Sequence, residues 1–205
     1  MKIYFRDRNI ALVDRAATNE DFLRTGVNVG LGSPLDTPVD AVVSPANSFG
    51  FMDGGIDYHF AENMPNIQNI VQEQISFYTE FNELLVGDAL IVSSTHKTIP
   101  YLIVAPTMRV PMRLPDASNI YLATRAAARK SHSTHAIESI CFSGMGTGVG
   151  GISPEMCIHA MGRGITDGMS VNAKHRSWRQ ANEDHWDIIG RNPFHTAIEK
   201  SVGHK

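Results

Sequence analysis

Cysteine is scarce in this chain. Only Cys141 and Cys157 occur in 205 residues, too few for a disulfide framework, and both are expected to be small buried hydrophobes in a reducing compartment. Long apolar runs are also missing. Nothing approaches the roughly 18–20 residues of a membrane-spanning helix, and the opening M-K-I-Y-F-R-D-R is charged where a secretory leader would be turning apolar. The expected location is the cytoplasm, with no membrane partner. Neither sign of charge dominates: 18 Lys and Arg stand against 21 Asp and Glu, a formal net charge of −3. That balance excludes a general basic field and the strong, sequence-independent hold on a nucleic-acid backbone that goes with one. Internal repeats, low-complexity tracts and heptads are absent too. Tryptophan occurs twice, at Trp178 and Trp186, in a polar C-terminal stretch that these two rings are expected to anchor.

What is present is an alternation of short β-branched runs with amphipathic segments. With 42% hydrophobic residues the chain can bury one full core, most simply one domain over residues 1–169 with an appendage at 170–205. Residues 3–5 read as a strand, 10–23 as a helix and 27–31 as a strand. Gly32-Ser33-Pro34 turns the chain into a central strand at 39–43. A short helix, a break at Pro65 and a helix over 67–81 follow. Strands at 89–93 and 99–105 are joined by so short a connection that they must run antiparallel. Asp116 or Ser118 caps a helix reaching Lys130, and 136–142 is the last strand. Ser153 caps a further helix with Pro154 in its first position, running to Gly162 or beyond. Residues 172–187 read as a helix or extended arm, and 196–205 as a frayed end. The pattern is that of an α/β layered domain.

Two glycine-bearing loops leave strands at their carboxyl ends, where ligands of such folds sit. The first, within D-A-V-V-S-P-A-N-S-F-G-F-M-D-G-G-I-D at 40–57, carries Asn47, Gly54, Gly55 and Asp57. The second, S-G-M-G-T-G-V-G-G at 143–151, runs into the Ser153-capped helix. Glycine lets main-chain amides converge on an anion, and a helix N-terminus adds unpaired N–H groups and the positive end of a dipole. Two such loops suit a diphosphate clamped between them. Asn47 and Asp57 suit polar recognition of a ribose, with the carboxylate placed to activate water or to stabilise positive charge at a sugar carbon.

These residues resemble the macro domain family of ADP-ribose-binding modules and ADP-ribosyl hydrolases. The likeness lies in V-D-A-V-V-S-P-A-N-S, D-G-G-I-D and G-M-G-T-G-V-G-G, and spans residues 3–169. A-P-T-M-R-V-P-M, at 105–112, is similar to the bacterial and phage-type branch. The resemblance implies a three-layer α/β/α fold with a mixed central sheet and ADP-ribose across its crest. It implies Asn47 at the distal ribose and Asp57 as the catalytic aspartate. Ala46, Gly54, Gly55 and Ile56 would form the first ligand-binding loop, and Ser143, Gly146, Thr147, Gly148, Val149 and Gly150 the second. It implies hydrolysis of an ADP-ribosyl linkage or ADP-ribose derivative without cofactor or metal. The partner is then ADP-ribose or an ADP-ribosylated macromolecule, with nucleic acid entering only as a modified substrate. The alternatives are a non-catalytic ADP-ribose reader and a module of the same fold with an altered nucleotide preference.

The sequence departs from the family at two places. An aspartate that bonds the adenine amino group is replaced by Ser33, an uncharged and weaker acceptor. The aromatic residue after the second loop's valine is replaced by Gly150, leaving Phe49, Phe51 or Met108 to fill that place. Other readings compete. Asp57 could simply cap the next helix, and Asn47 could be a left-handed turn residue. Residues 146–151 also fit a dinucleotide fingerprint, but too late in the chain and without the acidic residue at the end of the next strand. His132 and His135 lack a third metal ligand, and G-x-S-x-G is missing around Ser143. Arg109 and Arg113 follow a strand's carboxyl end and could reach a phosphate.

Overall fold

The computed structural model describes residues 1–170 and 177–190. Its centre is a six-stranded mixed sheet in the order β2-β1-β6-β3-β5-β4. The strands are β1 (Lys2–Asp7), β2 (Asn28–Leu31), β3 (Ala41–Ser44), β4 (Leu90–Ser93), β5 (Tyr101–Val104) and β6 (Ser139–Phe142). All neighbours are parallel except β4 and β5, which pair antiparallel as their short connection requires.

Alternation along the strands splits the core in two. Phe5, Val43, Ile103, Ile140 and Phe142 point to one face, while Val42, Leu102, Val104 and Cys141 point to the other. The first face is covered by α1 (Ile10–Thr18), α2 (Glu20–Thr25), α5 (Ser118–His132) and α6 (Pro154–Met169). The second is covered by α3 (Gly55–Asn63) and α4 (Ile67–Tyr78) through Phe60, Met64, Ile67, Val71 and Ile75. The result is the three-layer α/β/α arrangement. Strands buried on both faces read as continuous apolar runs, which is why the central strand was visible from sequence.

Several boundaries differ from the sequence reading, each for a local reason. The helix expected over 10–23 is two helices, because Asn19 leaves helical geometry and its side chain accepts from the Phe22 amide to start α2. The helix after Pro65 ends at Tyr78 rather than 81. Its last turn is closed by Thr79, whose hydroxyl donates to the Ile75 carbonyl and accepts from the Glu83 amide. α5 has Ala117 at its N-cap, although the Asp116 carboxylate accepts from the Ser118 amide at 2.9 Å. Ser153 and Pro154 begin α6 as expected, and the helix continues to Met169.

Beyond Ser170, α7 (Trp178–Ile188) carries a capping box of Ser177 and Gln180. Ile188 and Ile189 are buried, and Trp186 packs partly against the same core. Trp178 is 84% exposed and, among the described residues, is no anchor. The expectations for residues 172–176 and 196–205 lie outside the described residues. Among the described residues no helix is long and apolar enough to cross a membrane.

Candidate functional site

At the carboxyl ends of the parallel strands lies a cleft of about 420 Å³, within the range of small-molecule sites. Its lining includes the two loops' candidate residues and Ser33: Ser33, Ala46, Asn47, Gly54, Gly55, Ile56, Asp57, Ser143, Gly146, Thr147, Gly148, Val149 and Gly150. Strand order explains the convergence. The chain leaves β6 and β3 side by side, so their two glycine-bearing loops meet over the middle of the sheet.

The first loop is held rigidly. Ala105 and Thr107 donate main-chain bonds to the carbonyls of Ser44 and Ala46, extending the β3–β5 pairing past the strand ends. Asn47 is buried, and its side chain organises its own loop. The amide Nδ2 donates to the Phe51 carbonyl at 2.7 Å, and Oδ1 accepts from the Phe49 and Phe51 amides. Its backbone is not left-handed, so the simple turn reading fails. The Met52 amide donates to Gln68 Oε1 on α4. The loop then enters α3 directly at Gly55, three residues before the helix expected at 58. Gly55 has φ 59°, a left-handed value that glycine adopts without strain. Gly54 provides no side-chain cap, so the first-turn amides of α3 remain open to the cleft.

Asp57, third in α3, does not cap the helix. Its Oδ1 instead accepts a 2.6 Å hydrogen bond from the hydroxyl of Ser44, the last residue of β3. Ser44 is 1% exposed and Asp57 9%. Burial pushes the Asp57 carboxyl up from 3.8 to about 7; the Ser44 hydroxyl opposes this and the neighbouring Asp53 charge adds to it. A carboxyl poised near neutrality in a cleft can accept or donate a proton at working pH.

The second loop folds on itself. Gly151 donates to the Gly148 carbonyl, Ile152 to that of Gly146, and the Leu114 amide donates to that of Gly150. Among the described residues, the main-chain N–H groups of Thr147, Gly148 and Val149 have no such partner. Gly150 cannot carry a side chain here, since a Cβ would lie 2.5 Å from the Gly146 carbonyl oxygen. The aromatic residue of the family pattern is excluded by this tight turn. Phe51 and Met108 line the cleft in its stead, whereas Phe49 lies under the Arg109 guanidinium, 5.0 Å from its ring centre. Ser143 contributes a hydroxyl that is buried and, among the described residues, has no hydrogen-bond partner.

Other expectations are revised. Arg109 pairs with Glu83 at 2.6 Å, and neither it nor Arg113 lines the cleft. His132 and His135 are exposed at the C-terminal end of α5. Cys141 and Cys157 are buried, and burial pushes both thiols up to about 12, far from thiolate chemistry.

Two groups of lining residues escaped the sequence reading. His59, two residues past Asp57 on α3, lies 3.0 Å from the Ser33 hydroxyl through Nε2. Arg6, Asp7 and Arg8, at the end of β1, line the cleft beside Ser33. The first had no helical signal, because residues i and i+2 do not share a face. The second had no local signal, because only the strand order β2-β1-β6 carries residues 6–8 to the crest.

Comparison with known proteins agrees with this geometry. The family model described as Macro domain matches residues 43–161, which hold both loops. An uncharacterized protein of Aquifex aeolicus is 31% identical over 136 residues, covering 66% of this chain and 78% of that one. One of Aeropyrum pernix is 36% identical over 126 residues, covering 61% and 62%. Among solved structures, the macrodomain of Mycobacterium tuberculosis DarG aligns with a TM-score of 0.54 at 21% identity, over 63% of this chain and 82% of that one. An Oceanobacillus iheyensis macrodomain mutant with ADPR aligns at 0.58 and 17% identity, over 77% and 88%. Thermosipho africanus DarTG, in complex with ADP-ribose, aligns at 0.54 and 16%, over 66% and 37%. With a family match that covers more than half of its residues and holds both loops, this chain belongs to the macro domain family.

Proposed function

We propose that the cleft binds ADP-ribose and that the protein hydrolyses an ADP-ribosyl linkage with Asp57 as the group that activates water. The observation that carries this reading is the Asp57 carboxyl. It is buried, held by Ser44 through one oxygen, raised to about 7 and placed in a cleft between two amide-rich loops. Similarity to solved macrodomains bound to ADP-ribose supports the choice of ligand.

In this reading the diphosphate lies between the open first turn of α3 and the unpartnered amides of residues 147–149. The distal ribose then falls near Asn47, Phe51 and Asp57. Ser44 fixes Oδ1 of Asp57, leaving Oδ2 to take a proton from water as the water oxygen bonds to the anomeric carbon. The bond from that carbon to the acceptor breaks, the acceptor leaves with its electron pair and gains a proton from solvent, and the products are ADP-ribose and the free acceptor. The diphosphate is held by main-chain amides throughout, so this step needs only Asp57, Ser44 and water.

A specific observation favours a second reading, that of a non-catalytic reader: Asn47 already uses its carbonyl and one N–H on its own loop, leaving one N–H for a ligand. The two separate cleanly. Asp57→Ala should abolish release of ADP-ribose from a modified substrate while changing ADP-ribose affinity by less than about tenfold. Turnover that persists in Asp57→Ala would remove the catalytic role.

A further inference from the structure

We propose that the nucleoside end of the cleft is a second anion site, built around Arg8, and that the preferred ligand carries a phosphate on its nucleoside sugar. This inference rests on the ADP-ribose reading above and extends it to a part of the cleft the diphosphate does not occupy.

Strand order fixes the direction. The loops after β6 and β3 occupy the middle of the crest, with Asp57 bonded to Ser44 at the end of β3 and Asn47 bridged to Met108 on the side towards β5. A ligand whose ribose meets Asp57 and whose diphosphate lies over the central loops therefore extends its nucleoside towards β1 and β2. Ser33, His59 and residues 6–8 wait there.

The polar groups at that end are unevenly provided for. The Asp7 carboxylate is fully used: Oδ1 accepts from the Asn9 amide at 2.8 Å and Oδ2 from the Gly144 amide at 2.9 Å. The Arg6 guanidinium donates to the Phe5 and Asn28 carbonyls and to Asn28 Oδ1, and among the described residues it forms no ion pair. Arg8 lines the cleft, is exposed, and has no hydrogen bond or ion pair among the described residues. The Ser33 hydroxyl is occupied by His59 and the Leu35 amide, so the position adds no negative charge. Two guanidinium charges, Arg6 and Arg8, thus stand against one carboxylate at this end of the cleft, and among the described residues the Arg8 donors have no acceptor. A neutral purine nucleoside leaves the Arg8 donors and charge unused. A phosphate monoester on its sugar supplies an acceptor-rich dianion that a guanidinium holds in a charge-assisted, bidentate manner.

The test is calorimetric titration of the full chain with ADP-ribose and with ADP-ribose 2′-phosphate. Adenosine 2′,5′- and 3′,5′-bisphosphate, compared with AMP, locate the phosphate. The phosphorylated dinucleotide should bind about tenfold more tightly than ADP-ribose. Arg8→Gln should bring that ratio close to one, Arg8→Glu should invert it, and raised salt should shrink it in the parent chain. Equal affinities in the parent, or a preference that survives Arg8→Gln, would overturn the proposal and leave the ADP-ribose reading intact. Failure of both dinucleotides to bind would remove that reading and this proposal together.

Discussion

Among single residues Asp57 is central, and its raised carboxyl has a thermodynamic signature independent of any substrate. Its folded value, about 7, lies above its ordinary 3.8. Below about pH 4 both folded and unfolded chains hold the proton and nothing is lost. As pH rises from 4 towards 7 the unfolded state ionises first, so stability falls, and above 7 the loss is constant. Asp57→Asn keeps an oxygen for the Ser44 hydroxyl and has no charge to bury. The Tm of this variant should match the parent near pH 4 and exceed it by several degrees at pH 8. The gap corresponds to a few kcal/mol at most, each worth about 2–4 °C in a chain of this size. Melting curves at the two pH values check this, and a gap independent of pH would show that Asp57 titrates normally. Ser44→Ala removes the interaction that lowers the Asp57 value, so the acidic limb of the pH–rate profile should move to higher pH. A uniform loss of rate with an unmoved profile would make Ser44 merely structural. Sequence brought Asp57 into view by its place after two glycines. Its Ser44 partner was hidden, because a strand end and a helix start 13 residues apart are joined only by the fold.

Individual elements explain both what was legible and what was not. Strands β3, β5 and β6 were readable because burial on both faces turns them into unbroken apolar runs. The split between α1 and α2 was not, because Asn19 leaves the apolar spacing intact while its side chain restarts the helix. The tight approach of α6 to α5 was equally silent. A Cβ on Gly164 would come within 2.8 Å of the Tyr121 carbonyl oxygen, and one on Gly168 within 2.7 Å of that of Arg125. Helix propensity alone favours alanine at both positions by up to about 1 kcal/mol. Packing reverses that preference: Gly164→Ala should destabilise the fold by ~1–3 kcal/mol through forced separation of the two helices. Denaturant titration decides the matter, with a stabilised variant contradicting the close approach. Gly150 follows the same logic in the second loop. Gly150→Phe, which restores the family's aromatic residue, should weaken ADP-ribose binding by at least about tenfold, because the side chain must push Gly146 out of place.

For the molecule as a whole, the layered sheet places its chemistry at one edge, and the C-terminal helix lies against the far layer. Ile188 and Ile189 of that segment are buried, His159 on α6 is 2.9 Å from the Asp187 carbonyl, and Arg163 reaches Asp184 and Asp187. None of these residues lines the cleft. We therefore propose that residues 177–190 of the C-terminal extension support the domain without entering its site. A chain ending at Ser170 should fold and keep its ADP-ribose affinity while melting several degrees lower. Lost affinity in a folded truncation would give the extension a part in binding. The family resemblance was legible because the two loops are contiguous in sequence. The end of the cleft lined by Arg6 and Arg8 was not, because it is assembled from β1 and from turns separated from it by strand order. The central claim is that two loops clamp the diphosphate of ADP-ribose. Calorimetric titration of the full chain with ADP-ribose, with AMP as the control, tests it most directly. Binding at one site in the micromolar range that AMP cannot reproduce is the predicted result; no detectable binding, or equal binding of AMP, would contradict it.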